Sequence, residues 1–136
     1  MTKYYLDTSI WIDYYENRTD KFRPLGDWAH RLLVLIETNE GTILISDFLL
    51  EEMEIQISKE EIETIMRTYK GVIEKVDFSI EQTLEARRVS KERKIPFGDV
   101  LHAIIARDNW AIMVTRDRHF QKITDIIVPI KPEEII

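Results

Sequence analysis

The chain has 136 residues, of which 44% are hydrophobic and 32% charged, and its formal net charge is −6. This length suits one domain, and the composition excludes an intrinsically disordered chain. The sequence contains no cysteine. This excludes a disulfide scaffold, a thiolate zinc site, an iron–sulfur cluster and a cysteine nucleophile.

Membrane and export signals are not recognisable. The longest aliphatic run, residues 32–36, is far shorter than the roughly 20 residues that cross a bilayer. No apolar signal-peptide core precedes the first acid, Asp7,. We therefore expect a protein that neither spans a membrane nor is exported through a signal peptide. The lack of cysteine agrees with a cytoplasmic location.

Charge is distributed unevenly along the chain. Residues 47–63 contain seven acids and one base, whereas residues 87–94 contain five bases and one acid. The acidic net charge therefore does not exclude a nucleic-acid partner, because a local basic segment can contact phosphates.

Predicted strands and helices alternate along the chain. Strands are predicted at 3–6, 42–45, 72–76, 111–114 and 126–128. Helices are predicted at 10–16, 25–39, 47–57, 58–71, 79–93 and 99–108. The alternation predicts a three-layer α/β/α fold with a central, mainly parallel sheet, in a single domain over residues 1–136.

Four carboxylates fall where such a fold places ligand sites. Asp7 and Asp117 follow strands, Glu52 lies on the helix after the second strand, and Asp99 starts the sixth helix. Ligands bind beyond the carboxyl ends of parallel strands. Converging carboxylates repel each other unless a cation is bound, and oxygen-only ligands suit Mg²⁺ or Mn²⁺. This pattern is typical of metal-assisted phosphodiester hydrolysis.

Each acid also has a simpler interpretation. Asp7 and Asp99 stand where helix caps are common, and Asp117 lies in a polar turn. Glu52 is preferred over Glu51 as the inward-facing glutamate because its helical neighbours are mostly apolar, and Glu51 remains the alternative.

Four motifs together resemble the PIN-domain family. They are LDTS at 6–9, SDFLLEE at 46–52, GDVLHA at 98–103 and VTRDRHF at 114–120. Their order and spacing match over residues 4–128, and the chain length is similar to that of the single-domain VapC-type toxins of VapBC toxin–antitoxin systems.

The resemblance implies a Mg²⁺- or Mn²⁺-dependent ribonuclease that cleaves RNA with water activated by metal ions. By position, Asp7, Glu52, Asp99 and Asp117 would be the catalytic metal ligands. Supporting roles would fall to Thr8 and Ser9, which orient Asp7, to Thr115, which holds water or phosphate, and to Arg116, which offsets the acidity of the site.

Several basic residues are candidates for RNA contacts. They are Arg87, Arg88, Lys91, Arg93, Lys94 and Arg118. The alternative for the 87–94 segment is a solvated helix end, where the helix dipole favours bases. His102 lies three residues after Asp99 and could approach the site, but packing beside Ala103 and Ala106 is the preferred interpretation.

The resemblance also implies partners: an RNA substrate, an antitoxin protein and a second copy of the chain in a homodimer. Tyr14, Tyr15, Phe22 and Trp28 cluster in sequence and would suit such contacts. Two alternatives remain open. One is a non-catalytic PIN-fold binding module, and the other is an aspartate-based phosphotransferase, which the lack of a lysine at later strand ends disfavours.

Overall fold

The computed structural model describes all residues, Met1–Ile136. The strands are β1 Lys3–Leu6, β2 Thr42–Ile45, β3 Ile73–Lys75, β4 Ile112–Val114 and β5 Pro129–Ile130. These five strands form one parallel sheet in the order β3-β2-β1-β4-β5. The helices are α1 Thr8–Glu16, α2 Leu25–Thr38, α3 Asp47–Met53, α4 Lys59–Thr68, α5 Ile80–Arg93 and α6 Phe97–Asp108. Two 3₁₀ helices cover Arg118–Ile123 and Pro132–Glu134.

Side-chain caps start most of the helices. Asp7 caps α1, Ser46 caps α3 and Ser58 caps α4, each by accepting a hydrogen bond from a backbone N–H of the first turn. Ser79 forms a reciprocal capping box with Gln82 at the start of α5,. These short polar side chains satisfy backbone donors that a helix leaves unpaired.

The central strand is β1, which pairs with β2 on one side and β4 on the other. Since parallel crossovers are right-handed, α1 and α2 cover one face of the sheet and α5 and α6 cover the other,. This confirms the predicted three-layer α/β/α fold, with a sheet that is entirely parallel. Strand order reverses direction at β1, so the carboxyl end of β1 opens into the crevice where ligands bind in such sheets.

The core is one continuous cluster of 33 buried residues. Tyr5, Ile43, Leu44 and Met113 from the three central strands are fully buried. Parallel strands covered on both faces are expected to be apolar. Strands β1, β2 and β4 are apolar apart from Lys3 and Thr42 at their starts, whereas the edge strand β3 carries the exposed Glu74 and Lys75.

Several predicted boundaries were wrong. Helix α1 begins at Thr8 rather than residue 10, and helix α4 ends at Thr68 rather than residue 71. Helix α6 begins at Phe97 rather than Asp99, because Pro96 has the fixed φ that suits the position just before a helix. Helix α3 ends at Met53 rather than residue 57. There the chain turns to bury Ile57 and to start α4 at its own cap.

The last strand lies at Pro129–Ile130 rather than at 126–128. The 3₁₀ helix Arg118–Ile123 continues into a turn, in which the N–H groups of Ile126 and Ile127 donate to the carbonyl of Ile123. The strand therefore starts at a proline, which is tolerated on an edge strand because it lacks an N–H to donate. None of the six α-helices is both long enough and apolar enough to cross a bilayer.

Candidate active site

The four predicted carboxylates line one cavity of about 320 Å³. We call it the acidic cleft: Asp7, Glu52, Asp99 and Asp117, with Arg18 as the one base in its wall. Arg18 is itself engaged, because its guanidinium donates to Glu16 at 2.7 Å and to Gln56 at 3.2 Å. The cleft therefore gathers acids from four separate segments with little compensating charge.

Asp7 lies at the centre of the sheet edge and is only 5% exposed. Its Oδ1 accepts a hydrogen bond from the Thr8 N–H at 2.8 Å, and its Oδ2 accepts from the hydroxyls of Ser9 at 3.1 Å and Thr115 at 2.9 Å. Burial raises the pKa of Asp7, against the opposing effect of His102 and these hydrogen bonds,. Asp7 is thus both the cap of α1 and a carboxylate of fixed orientation.

Thr115 connects two of the acids. Its buried hydroxyl donates to Asp7 and accepts a hydrogen bond from the Asp117 N–H at 3.0 Å. The hydroxyl is therefore committed to orienting Asp7 and the turn at Asp117.

Glu52 enters the cleft from α3, while Glu51 is exposed. Both hydrogen bonds to Glu52 fall on Oε1, from the Thr8 hydroxyl at 2.7 Å and from His102 Nε2 at 2.5 Å. Burial acts to raise the pKa of Glu52, but the bonds from His102 and Thr8 outweigh it and hold this pKa below its ordinary value. Oε2 accepts no hydrogen bond from the chain and remains available to a ligand.

His102 belongs to this site rather than to an apolar face beside Ala103 and Ala106. It is fully buried on α6, and its Nδ1 lies 2.7 Å from the Tyr5 hydroxyl, which lies 2.9 Å from Ser46 Oγ. A carboxylate can only accept, so Nε2 carries the proton toward Glu52, and in the neutral ring Nδ1 then accepts from Tyr5,. Ser46, Tyr5 and His102 thus form a chain of hydrogen-bonded side chains that reaches out of the core and fixes Glu52 Oε1.

Asp99 and Asp117 lie on either side of His119. His119 Nδ1 is 2.8 Å from Asp99 Oδ2 and 3.0 Å from Asp117 Oδ1. The ligand atoms of the three side chains all lie within 4.8 Å of one another. Burial, followed by repulsion from Asp117 and Asp7, raises the pKa of Asp99 to about 6 despite the His119 hydrogen bond. Asp99 makes no capping hydrogen bond, so the simpler interpretation as a cap was wrong for this residue.

The cleft has the donors that a hard divalent cation requires. Carboxylate oxygens suit Mg²⁺ and Mn²⁺, and repulsion from Asp117 and Asp7 adds to burial in raising the pKa of Asp99,. A cation would relieve this repulsion.

Comparison with protein-family models gives one decisive match. The model described as the PIN domain matches residues 4–126. The chain belongs to the PIN domain family.

Solved structures with the same fold include bacterial and archaeal proteins. A chain of VapBC2 from Rickettsia felis, bound to a DNA fragment from their promoter, has a TM-score of 0.70 and 23% identity over 96% of this chain and 98% of that one. A chain of a toxin–antitoxin complex from Klebsiella pneumoniae has a TM-score of 0.67 and 18% identity over 95% of this chain and 97% of that one. PAE2754 from Pyrobaculum aerophilum has a TM-score of 0.62 and 17% identity over 98% of this chain and 86% of that one. At these identities the similarity establishes the PIN fold. A search of curated proteins found no significant match.

Arg116, expected to offset the acidity of the PIN site, is directed elsewhere. Its guanidinium is 13% exposed, lies 2.7 Å from Glu133 and 3.5 Å from the buried Asp13, and stacks over Trp28. Its charge is therefore used in a structural ion-pair network.

The other basic candidates lie mainly on α5, outside the wall of the acidic cleft. Arg93 forms a bidentate pair with Asp125 at 2.7 and 2.8 Å, Arg87 lies over the Phe97 ring, and Arg88 is within 3.9 Å of Glu92. Lys91 and Lys94 are exposed and form no ion pair. Arg118 is exposed and lines a polar cavity of about 310 Å³ that adjoins Asp117.

The predicted aromatic cluster does not form one patch. Tyr14 packs against Tyr69 and His30, Trp28 lies under Arg116, and Phe22 is fully exposed.

The sequence interpretation missed the roles of His102 and His119. The signals were present: His102 is one helical turn after Asp99, and His119 is two residues after Asp117. Spacing of this kind places a histidine near an acid but does not show which way its ring points.

Proposed function

We propose that this chain is a metal-dependent endoribonuclease that hydrolyses phosphodiester bonds of RNA. The observation that carries this proposal is the acidic cleft, in which Asp7, Glu52, Asp99 and Asp117 line one cavity. Membership of the PIN family supports it. In this proposal the four acids are catalytic residues and hold Mg²⁺ or Mn²⁺.

The surrounding residues prepare the carboxylates for this task. Thr8, Ser9 and Thr115 fix the orientation of Asp7, and His102 with Thr8 holds one oxygen of Glu52 while leaving the other free. Divalent ions bound there would supply activation of water and stabilisation of charge on the phosphate and the leaving oxygen. Ligands held in advance in this way lose little freedom when the cation and substrate bind.

The test is RNA cleavage by Glu52→Gln, with Glu51→Gln as a matched control. Both changes remove one charge from neighbouring positions of α3, but only Glu52 faces the cleft. We expect Glu52→Gln to lower the cleavage rate about 100-fold, a typical cost of losing one group that stabilises developing charge. Glu51→Gln should retain the wild-type rate. The substrate is a pool of tRNA and single-stranded RNA with Mn²⁺, and EDTA should abolish cleavage.

The chemical ends of the products add a second criterion. Hydrolysis by an activated water without a covalent intermediate should leave 5′-phosphate and 3′-hydroxyl ends. Equal loss of activity in the two glutamine variants, or cleavage that persists in EDTA, would contradict the proposed site.

We further propose that the chain is the toxin of a toxin–antitoxin pair, with an antitoxin protein as partner. The support is the fold shared with chains of VapBC2 and of a toxin–antitoxin complex. Expression in a bacterial host should then stop growth, and Glu52→Gln should restore it. A homodimer and a cytoplasmic location remain predictions of the same proposal.

The alternatives have less support. A binding module without catalysis does not require Glu52 Oε2 to be kept free of hydrogen bonds. A phosphotransferase that uses Asp7 commonly needs a nearby lysine, and no lysine lines the acidic cleft.

A further inference from the structure

His119 lies within contact distance of two acids of the cleft, although its own ring is 45% exposed. The 3₁₀ helix that follows β4 fixes its position, because the His119 N–H donates to Asp117 Oδ1 at 2.9 Å. The ring nitrogen Nδ1 then meets Asp99 Oδ2 and Asp117 Oδ1. Nε2 makes no hydrogen bond within the chain. A partly exposed ring whose Nε2 has no partner in the chain can change its protonated nitrogen without disturbing the core.

The spacing of these atoms matches the spacing of neighbouring ligands around one cation. Two ligands at right angles, each about 2.1 Å from an octahedral ion, are about 3 Å apart. The Nδ1 atom of His119 is 2.8 and 3.0 Å from the two carboxylate oxygens. With no cation bound, an N–H at this position donates to Asp99 Oδ2. With the proton on Nε2, the Nδ1 lone pair points into the same space.

We propose that His119 is a nitrogen ligand of the catalytic cation, and that it makes this site prefer a first-row transition ion such as Mn²⁺ over Mg²⁺. The inference rests on the proposed function and narrows the identity of its metal. Mg²⁺ favours oxygen ligands almost exclusively, whereas transition ions accept imidazole. A site of carboxylates alone would not discriminate between Mn²⁺ and Mg²⁺ through a nitrogen ligand.

The test measures metal binding rather than cleavage. Purified wild type, His119→Gln and the control His30→Gln are titrated with Mn²⁺ and, separately, with Mg²⁺ by calorimetry. His30 is an exposed histidine on α2 outside the wall of the cleft. Electron spin-echo envelope modulation of the Mn²⁺-loaded proteins then reports whether an imidazole ¹⁴N is coordinated to the ion.

We expect ¹⁴N modulation in wild type and His30→Gln, and none in His119→Gln. His119→Gln should bind Mn²⁺ at least about tenfold more weakly, since even partners of metal ligands contribute this much, while its Mg²⁺ affinity changes less than threefold. Mn²⁺ binding without ¹⁴N modulation, or modulation that persists in His119→Gln, overturns the inference and leaves the nuclease proposal intact. Absence of Mn²⁺ binding in wild type overturns both.

Discussion

Asp99 shows how one residue of the cleft opposes the stability of the fold. Its carboxylate is largely buried beside Asp117 and Asp7, and its pKa is raised to about 6. The folded protein therefore binds a proton between pH 3.8 and 6 that the unfolded chain releases. The protonated Asp99 carboxyl contributes to the free energy of unfolding at low pH, and this contribution is lost as pH rises through 6,. Above that pH, folding requires the charged carboxylate to remain in the cleft.

Asp99→Asn should therefore stabilise the protein in EDTA. We expect a gain in the free energy of unfolding on the order of 2 kcal/mol at pH 7.5, from a pKa shift of about two units, and about half of that at pH 5. Urea unfolding of both proteins at the two pH values measures this. In saturating Mn²⁺ the wild type should be the more stable of the two proteins, because binding of the cation stabilises the wild type more than Asp99→Asn. A difference independent of pH would show that the charge of Asp99 is not its cause.

The start of α6 and α3 approach each other so closely that a side chain at position 98 would require the Glu52 carboxylate to move. A Cβ built on Gly98 would lie 2.7 Å from Glu52 Oε2 and 3.3 Å from the Phe48 ring. The free oxygen of Glu52 therefore occupies space that a side chain on α6 would take. The position of this oxygen in the acidic cleft therefore depends on the small size of residue 98.

Gly98→Ala should separate activity from stability. Alanine is favoured over glycine within a helix by up to about 1 kcal/mol, so the melting temperature should change little. The new methyl group displaces the Glu52 carboxylate, and we expect RNA cleavage to fall about tenfold or more, a typical cost when a ligand loses its orientation. Gly71→Ala is the control, because a Cβ there meets nothing within 4 Å. Equal cleavage by the two variants would show that the contact does not matter.

The elements of the site could be predicted better than their contacts. Asp7 and Asp117 were identifiable because they follow strands, and Glu52 because its helical neighbours are apolar. The bonds from His102 to Glu52 and from His119 to Asp99 join residues 50 and 20 positions apart. No local pattern gives the ring orientation that these bonds need, since packing between elements decides it.

Arg116 links distant parts of the molecule. Its guanidinium leaves the end of β4 and meets Asp13 on α1, Trp28 on α2 and Glu133 in the last 3₁₀ helix. Burial raises the pKa of Asp13, and the neighbouring Arg116 and Arg18 oppose this shift. The sequence interpretation assigned Arg116 to the cleft because it precedes Asp117. Its partners could not be foreseen, since they lie about 100 residues earlier and 17 residues later.

Arg116→Met should destabilise the fold by about 3 kcal/mol, because it leaves the buried Asp13 carboxylate without its closer partner and with only Arg18 at 3.9 Å,. Asp13→Asn in the same chain should recover part of this loss. Arg88→Met serves as control, since Arg88 is exposed and only weakly paired, and it should change stability by less than about 0.5 kcal/mol. Urea unfolding measures all three. A small effect of Arg116→Met that matches the control would contradict the structural role.

The hydrogen bond from Thr115 to Asp7 spans 108 residues, and this has a consequence for the time at which the protein becomes complete. Asp7 is made early in translation. Strand β4 and the turn that carries Asp117 are made only after Glu52 and Asp99. At roughly 5–20 residues per second, the interval between Asp7 and Thr115 lasts several seconds or more. Nascent chains that have not yet reached Asp117 cannot contain the acidic cleft. The cleft is therefore completed late in synthesis, when Thr115 and Asp117 have been added.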